Sequence, residues 1–168
     1  YWLAKMLVGG EDPRFIARRL VIFASEDIGL ADSRGLLMAD ATFRACETIG
    51  LPECELNLAH CVLFLATCPK SNSATLALAA AKQAIRDQPV QSIPSNIQDR
   101  HGRNQKYREE EEEGYLYSHN YPENISGQSY LEKDLSLFVP KSTGTEKSVT
   151  ERLNYWKSLK RELNRKKN

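Results

Sequence analysis

The chain has 168 residues, 41% of them hydrophobic, and a formal net charge of +1 at pH 7. This length fits one ordinary domain, or one domain with a tail, and supplies enough apolar side chains for a core. The near-zero charge indicates no class of partner by itself, and no apolar run approaches the roughly 20 residues that cross a bilayer, so we expect no membrane contact.

The first predicted elements are two helices. Residues 1–7 form an apolar run that indicates the first helix. Asp12 followed by Pro13 predicts the start of the second, because the carboxylate accepts unpaired backbone N–H groups and proline loses no hydrogen bond at the first helical position. Gly29 is its predicted end. The expected core face has helical spacing and comprises Ile16, Leu20, Phe23 and Ala24.

Three further helices are predicted before residue 88. Their expected bounds are Asp32 or Ser33 to about Ile49, Pro52 to Cys68, and Ser71 or Ser73 to about residue 87. The apolar positions that define the last two are Leu56, Ala59, Leu63 and Ala66, and then Leu76, Ala80 and Ile85. Since short connections join successive amphipathic helices, the sequence predicts an all-α fold, an antiparallel helical bundle.

No residue pattern predicts a chemical site. The four cysteines, Cys46, Cys54, Cys61 and Cys68, are spaced by eight, seven and seven residues and include no CxxC pair of a structural zinc site. This spacing suits small apolar side chains on helical faces, so we expect free thiols. The sequence contains no glycine-rich phosphate-binding loop and no recognisable pairing of a nucleophile with a base. We therefore predict no catalytic, cofactor-binding or metal site in this chain.

The composition changes after residue 88. Residues 89–114 read as a charged loop that contains five consecutive glutamates, and we interpret them as a solvated charge block. Residues 115–140 read as irregular chain over the bundle, with aromatic rings used in packing or, as the alternative, in base stacking. These rings belong to Tyr115, Tyr117, Tyr121 and Tyr130.

A last helix is predicted from about Ser148 to Asn164. Its apolar stripe comprises Val149, Leu153, Trp156, Leu159 and Leu163. Residues 141–168 carry nine Lys/Arg and three Asp/Glu, a local net charge of +6. Two interpretations stay open: a docking helix with a solvated basic face, or an arm that contacts a partner helix or DNA phosphates. The candidates for DNA contact in the chain are Arg14, Arg18, Lys157, Lys160, Arg161 and Arg165.

The run from Gly9 to Asp32, GGEDPRFIARRLVIFASEDIGLAD, resembles the opening of the C-terminal region of the RarA/MgsA family of AAA+ ATPases, whose eukaryotic relative is the Werner-helicase-interacting protein. Shorter patches follow in family order, namely IGLPEC at 49–54, ATCPKSN at 66–72, YSHNYP at 117–122, QSYL at 128–131 and ERLNYW at 151–156. The resemblance covers most of residues 1–90 closely and 115–168 more loosely. Residues 99–113 depart from it, because the family usually has a basic stretch with a Gly-Tyr-Gly element there.

The resemblance implies that a full-length protein binds ATP and Mg through Walker motifs outside this chain and acts on DNA at replication forks and recombination intermediates. It also implies that this region resembles the collar of clamp loaders and forms a homotetramer. A single-stranded-DNA-binding protein is a further expected partner. The expected location is cytoplasmic and nucleoid-associated, as for a bacterial protein.

On this interpretation the chain divides into four parts: the end of a lid-domain helix (1–8), a helical oligomerisation core (9–88), a charged loop (89–114), and an irregular segment with a basic C-terminal helix that packs on the core (115–168). The candidates for the oligomer interface are large apolar residues of the predicted helices, Trp2, Phe15, Ile22 and Phe43. The alternative function is a DNA-binding module that uses the basic C-terminal helix.

Overall fold

The computed structural model describes residues 1–98 and 115–165. The described residues form six α-helices: α1 (Trp2–Val8), α2 (Pro13–Phe23), α3 (Arg34–Thr48), α4 (Cys54–Thr67), α5 (Ser73–Asp87) and α6 (Glu146–Arg165). They include short 3₁₀ turns but no β-strand, so the predicted all-α fold class is confirmed. None of the helices in this part of the chain has the length and apolar character needed to span a membrane. The predicted charge block at residues 99–113 lies outside the described residues.

The predicted start and end of the second helix are confirmed. The Asp12 carboxylate accepts a hydrogen bond from the Arg14 backbone N–H at 2.8 Å, and Pro13 occupies the first helical position. The helix continues through one π-helical turn, Ala24–Ile28. It ends at Gly29, whose φ of +51° is a conformation that a residue with a Cβ rarely adopts.

The next helix, α3, also begins with an aspartate side chain that caps its N-terminus. Of the two predicted caps, Asp32 supplies the side chain: it accepts the Arg34 backbone N–H at 3.1 Å and the Arg34 guanidinium at 2.9 and 2.6 Å. The hydrogen bonds from Arg34 outweigh the burial of Asp32 and hold the pKa of this carboxyl below its usual value. Both α2 and α3 therefore begin with an Asp-x-Arg sequence in which the arginine backbone N–H and guanidinium both donate to the capping aspartate.

The core lies among α2, α3 and α4, which pack against one another, while α1 contacts α4. It contains two buried clusters. One comprises Ala24, Ile28, Ala39, Cys61, Leu65 and Cys68, and the other comprises Ile16, Ala17, Cys46, Cys54 and Leu58. All four cysteines are buried and free, which confirms the expected thiols. The predicted core face of α2 is also confirmed, since Ile16 and Ala24 are buried and Leu20 and Phe23 pack against the clusters.

The apolar positions that indicated α4 in the sequence do not lie on its buried side. The structure buries the opposite side of that helix, Cys54, Leu58, Cys61 and Leu65, and leaves Leu56 and Leu63 exposed. The positions that defined α5 are likewise exposed, at Leu76, Ala80 and Ile85. Both helices are apolar on more than one side, so hydrophobic spacing alone could not identify the buried side.

The chain separates into two compact units, Tyr1–Lys82 with Leu137–Thr150, and Gln83–Ser136 with Glu151–Asn168. In the second unit, side-chain amides hold the irregular chain. The Gln128 side chain accepts the Leu116 backbone N–H at 3.1 Å, and Asn96 donates to the Ser129 carbonyl at 3.1 Å. The expectation that tyrosine rings pack is not met at Tyr115 and Tyr130, which are exposed, whereas Tyr121 is half-buried and the exposed Tyr117 ring lies against His119, with ring centres 5.0 Å apart. The hydrogen bonds order this chain while leaving Tyr115 and Tyr130 exposed.

Candidate functional site

The buried cysteines have the chemistry of core residues. Burial, reinforced by the neighbouring Cys54 thiol, raises the pKa of Cys46 to about 12, and burial also raises the pKa of Cys61. Since the thiolate is the reactive form of cysteine, these thiols are unreactive at neutral pH. Within residues 1–98 and 115–165, no three His, Cys, Asp or Glu side chains come together in a way that fits a metal ion such as Mg. ATP and Mg stay predictions for the full-length protein.

The outer face of α2 brings together residues that the sequence had placed in two different classes. Phe15 and Ile22, the interface candidates, are 44% and 49% exposed. Arg18, a candidate for DNA contact, lies between them at helical spacing, and Arg19 is exposed beside it. The face is therefore neither purely apolar nor purely basic.

The two arginine candidates on α2 differ in their partners. Arg14 forms an ion pair with Asp12, with Nη2 at 3.0 Å from the carboxylate and Nε at 3.2 Å. Arg18 forms no ion pair or hydrogen bond with any described residue. The hydrogen bond from Arg14 does most to lower the pKa of the Asp12 carboxyl, and the Arg18 guanidinium helps only through its charge, so unlike Arg14 it keeps its N–H groups available for a partner.

The remaining interface candidates lie in different environments. Trp2 is 70% exposed. The Tyr1 ring lies edge-on to the Trp2 ring with ring centres 5.2 Å apart, and the Lys5 ammonium lies 5.1 Å from the centre of the Trp2 ring. Phe43 is half-buried and packs against the cluster that contains Ile16 and Leu58. The exposed tryptophan offers contact area to a partner, whereas much of the Phe43 side chain is already used inside the chain.

The outer face of α4 is a candidate that the sequence did not single out. Leu56 is 76% exposed and Leu63 is 67% exposed, and they lie seven residues apart on one side of the helix. Ala66 is exposed and Ala59 is half-buried along the same side. From Leu56 through Thr67 the helix contains no Lys, Arg, Asp or Glu. The signal that could have found this face is the uniformly apolar character of α4.

On α6, the basic candidates lie on one side. Lys157, Arg161 and Arg165 are exposed at steps of four residues, and Lys160 is half-buried. None of the four forms an ion pair within the described part of the chain. On the apolar stripe, Leu153, Leu159 and Leu163 are half-buried, while Trp156 is partly exposed beneath the Arg152 guanidinium at 5.8 Å. Lys166 and Lys167 lie outside the described residues.

A buried carboxylate at the start of α6 was missed. Glu146 is fully buried and accepts hydrogen bonds from the Ser73 hydroxyl at 2.5 Å and from the Lys141 backbone N–H. Burial acts to raise the pKa of Glu146, but hydrogen bonds from Ser71, Ser73 and Lys141 outweigh it, so the pKa lies below its ordinary value. These bonds explain why α6 begins two residues before its predicted start at Ser148.

The turn before Glu146 fixes the same region to the core. The Thr145 backbone N–H donates to the Ala31 carbonyl at 2.9 Å, and the Thr145 hydroxyl donates to the Leu30 carbonyl. Gly144 has φ of +52°, and an added Cβ would lie 2.1 Å from the Ala31 oxygen. Only glycine fits this close approach. Glu146 and this turn therefore hold the start of α6 in a defined position, which is a structural role.

Comparison with known proteins gives a consistent result. An uncharacterized AAA domain-containing protein of Mycobacterium tuberculosis is 41% identical over 95% of this chain and 36% of its own length. Replication-associated recombination protein A of Bacillus subtilis is 35% identical over 96% of the chain and 38% of its own length. The ATPase WRNIP1 of Dictyostelium discoideum is 32% identical over 88% of the chain and 16% of its own length. The chain thus spans little more than a third, or less, of these relatives.

The family model described as the MgsA AAA+ ATPase C terminal matches residues 1–157. This match covers the helical core, the irregular segment and most of α6. Together with the relatives, it confirms the family that the Gly9–Asp32 run indicated. The chain belongs to the family of MgsA AAA+ ATPase C-terminal regions.

Proposed function

We propose that this chain is the self-assembly region of an AAA+ ATPase that acts in DNA replication and recombination, and that it assembles as a homotetramer. The process is suggested by relatives named replication-associated recombination protein A. The outer face of α4 is the observation that carries the proposal of self-assembly.

It is unusual for a helix as apolar as α4 to leave one side exposed to solvent. A helix that is apolar all round is typically buried on all sides, yet α4 buries only the side that contains Leu58 and Leu65. Covering an exposed leucine contributes about 1.5–3 kcal/mol. Assembly that covers Leu56 and Leu63 would therefore be favourable, before the entropic cost of association.

The proposed occupant of the α4 face is a second copy of the same helix. From Leu56 through Thr67 the helix has no Lys, Arg, Asp or Glu with which to select DNA or a charged peptide, and the exposed His60 lies between Leu56 and Leu63 at helical spacing. Two copies of one apolar stripe are complementary to each other about a two-fold axis, as in most homodimers. The function of this contact is to fix the geometry of subunits, so that ATP sites elsewhere in a full-length protein work together.

The test is the solution mass of the Leu63→Lys variant by light scattering. A lysine at the centre of the α4 face would bury an unpaired charge in the assembly, so the variant should form a smaller species than the wild-type chain. Asn154→Lys is the matched control, because Asn154 is exposed on α6 and the change adds the same charge. Equal masses for wild type and Leu63→Lys would contradict the proposal.

A second candidate function, DNA binding by α6, is favoured by the exposed side that contains Lys157, Arg161 and Arg165. Lysines and arginines on one side of a helix bind phosphates without reading sequence, and the affinity falls steeply with salt. Replacement of all three by glutamine should abolish binding of a duplex oligonucleotide measured at low salt. Unchanged binding would exclude α6 as the contact.

A further inference from the structure

The outer face of α2 and its π-helical turn has an ordered arrangement of charge. Arg18 and Arg19 are exposed in the middle of the helix, and Glu26 and Asp27 are exposed near its end. The exposed Ile22 lies between the two charged pairs. Buried or half-buried residues occupy the opposite side, so these five side chains share the outer face.

The charge of Arg18 acts on the Asp12 carboxyl, but none of these four charged side chains is held by a contact within the described residues. No ion pair or side-chain hydrogen bond joins Arg18, Arg19, Glu26 or Asp27 to another described residue. Arg18 and Glu26 are eight residues apart, roughly 12 Å along a helix that rises about 1.5 Å per residue. The basic and acidic pairs therefore lie too far apart to neutralise each other within one copy.

An antiparallel second copy would place Arg18 of each copy opposite Glu26 of the other. If a two-fold axis passes near Ile22, the residue four positions before it faces the residue four positions after it in the other copy. Arg18 of each copy then meets Glu26 of the other, and Ile22 meets its own equivalent. A face with a basic and an acidic end about an apolar centre is complementary to itself only in this orientation.

We infer that the outer face of α2 binds the same face of a second copy in antiparallel orientation, with Arg18 of each copy opposite Glu26 of the other. The inference rests on the proposed self-assembly and names a contact within it. Charge complementarity identifies the occupant, because the carboxylates of Glu26 and Asp27 would repel DNA phosphates as strongly as the arginines attract them.

The α2 contact and the α4 contact together define the symmetry of the assembly. One two-fold contact produces a dimer, whereas two different two-fold contacts on one chain close a tetramer with D2 symmetry. The α2 face, with Phe15 and Ile22, and the α4 face, with Leu56 and Leu63, are different surfaces. A dimer of dimers is therefore the expected form of the tetramer.

Charge reversal tests the contact. Arg18→Glu and Glu26→Arg each convert both ion pairs of the interface into repulsions, so each variant alone should lose the tetramer, with association weakened about tenfold or more. An equimolar mixture of the two should recover it, because Glu at 18 then faces Arg at 26 and the native pair forms on the other side. The double variant should recover it too.

The readout is mass by light scattering, with circular dichroism to show that each variant is folded. Lys133→Glu is the control, since it makes the same change of charge at an exposed site of the second unit. A wild-type tetramer that survives both single variants, or a mixture that does not recover it, would overturn this inference alone. A monomeric wild-type chain would overturn the proposed function as well.

Discussion

The outer faces of α2 and α4 present two different kinds of surface on neighbouring helices of one core. On α2, charged residues mark the outer side, and the buried side is the apolar stripe through Ile16 and Ala24. On α4, leucines and alanines occur on both sides, and only packing against α2 and α3 decides which side is buried. The sequence of an amphipathic helix thus predicts which of its sides is exposed. The sequence of an apolar helix predicts only that its sides will be covered.

The two faces also differ in the physical origin of their proposed contacts. The α4 contact would depend on burial of Leu56 and Leu63, which salt affects little. The α2 contact would depend on ion pairs at a solvent-accessible interface, which salt screens. Mutation and salt can therefore separate them.

The largest expected effect distinguishes the inner from the outer side of α4. Leu58→Ala should lower the free energy of unfolding by about 2–5 kcal/mol, because it leaves a cavity at a fully buried position. Leu63→Ala should lower the free energy of unfolding far less, when the protein is dilute enough to be monomeric. Urea unfolding at several protein concentrations measures both. A similar loss for the two variants would contradict the assignment of Leu63 to an outer face.

A smaller effect is expected from Glu146, the buried carboxylate at the start of α6. The pKa of Glu146 is lower in the folded chain than its ordinary value of 4.5, so folding favours the charged form. Its contribution to stability is present above that ordinary value and is lost as pH falls through the lowered pKa. Glu146→Gln should remove this part of the acid dependence and destabilise the chain at pH 7.

The measurement is urea unfolding of wild type and Glu146→Gln at pH 7 and near pH 3.5. Ser73→Ala should weaken the same site by about 1–3 kcal/mol at pH 7, since the Ser73 hydroxyl donates to the buried carboxylate. If wild type and Glu146→Gln lose the same stability as the pH falls, other carboxyls, such as Asp32, account for the pH dependence.

The smallest expected effect is that of salt on the two contacts. In Leu63→Lys only the α2 contact should remain, and its dimer should dissociate a few-fold more readily in 0.5 M than in 0.05 M NaCl. In Arg18→Glu only the α4 contact should remain, and its dimer should be little affected. Sedimentation velocity compares the two. Equal salt dependence would remove the physical distinction between the faces.

Much of the fold was predictable because local chemistry decided it. Asp12–Pro13 specified the start of α2 and Gly29 its end, and the Gly9–Asp32 run indicated the family. Contacts between distant residues were not predictable in this way. Glu146 lies 73 residues from Ser73, and no periodic pattern relates them.

The candidate surfaces show the same limit. Phe15, Ile22 and Arg18 could be selected as exposed residues from the amphipathic pattern of α2. Glu26 follows Ile22 by four residues and so belongs to the same side of the helix, although the π-helical turn at Ala24–Ile28 was not predicted. The exposure of Leu63 could not be derived at all from a helix whose sides are equally apolar.

Self-assembly of this chain is tested by the solution mass of the wild-type protein, measured by light scattering across a range of concentrations. We expect a stable species near four times 19.0 kDa at high concentration, with a dimer on dilution. A species of 19.0 kDa at every concentration would contradict it.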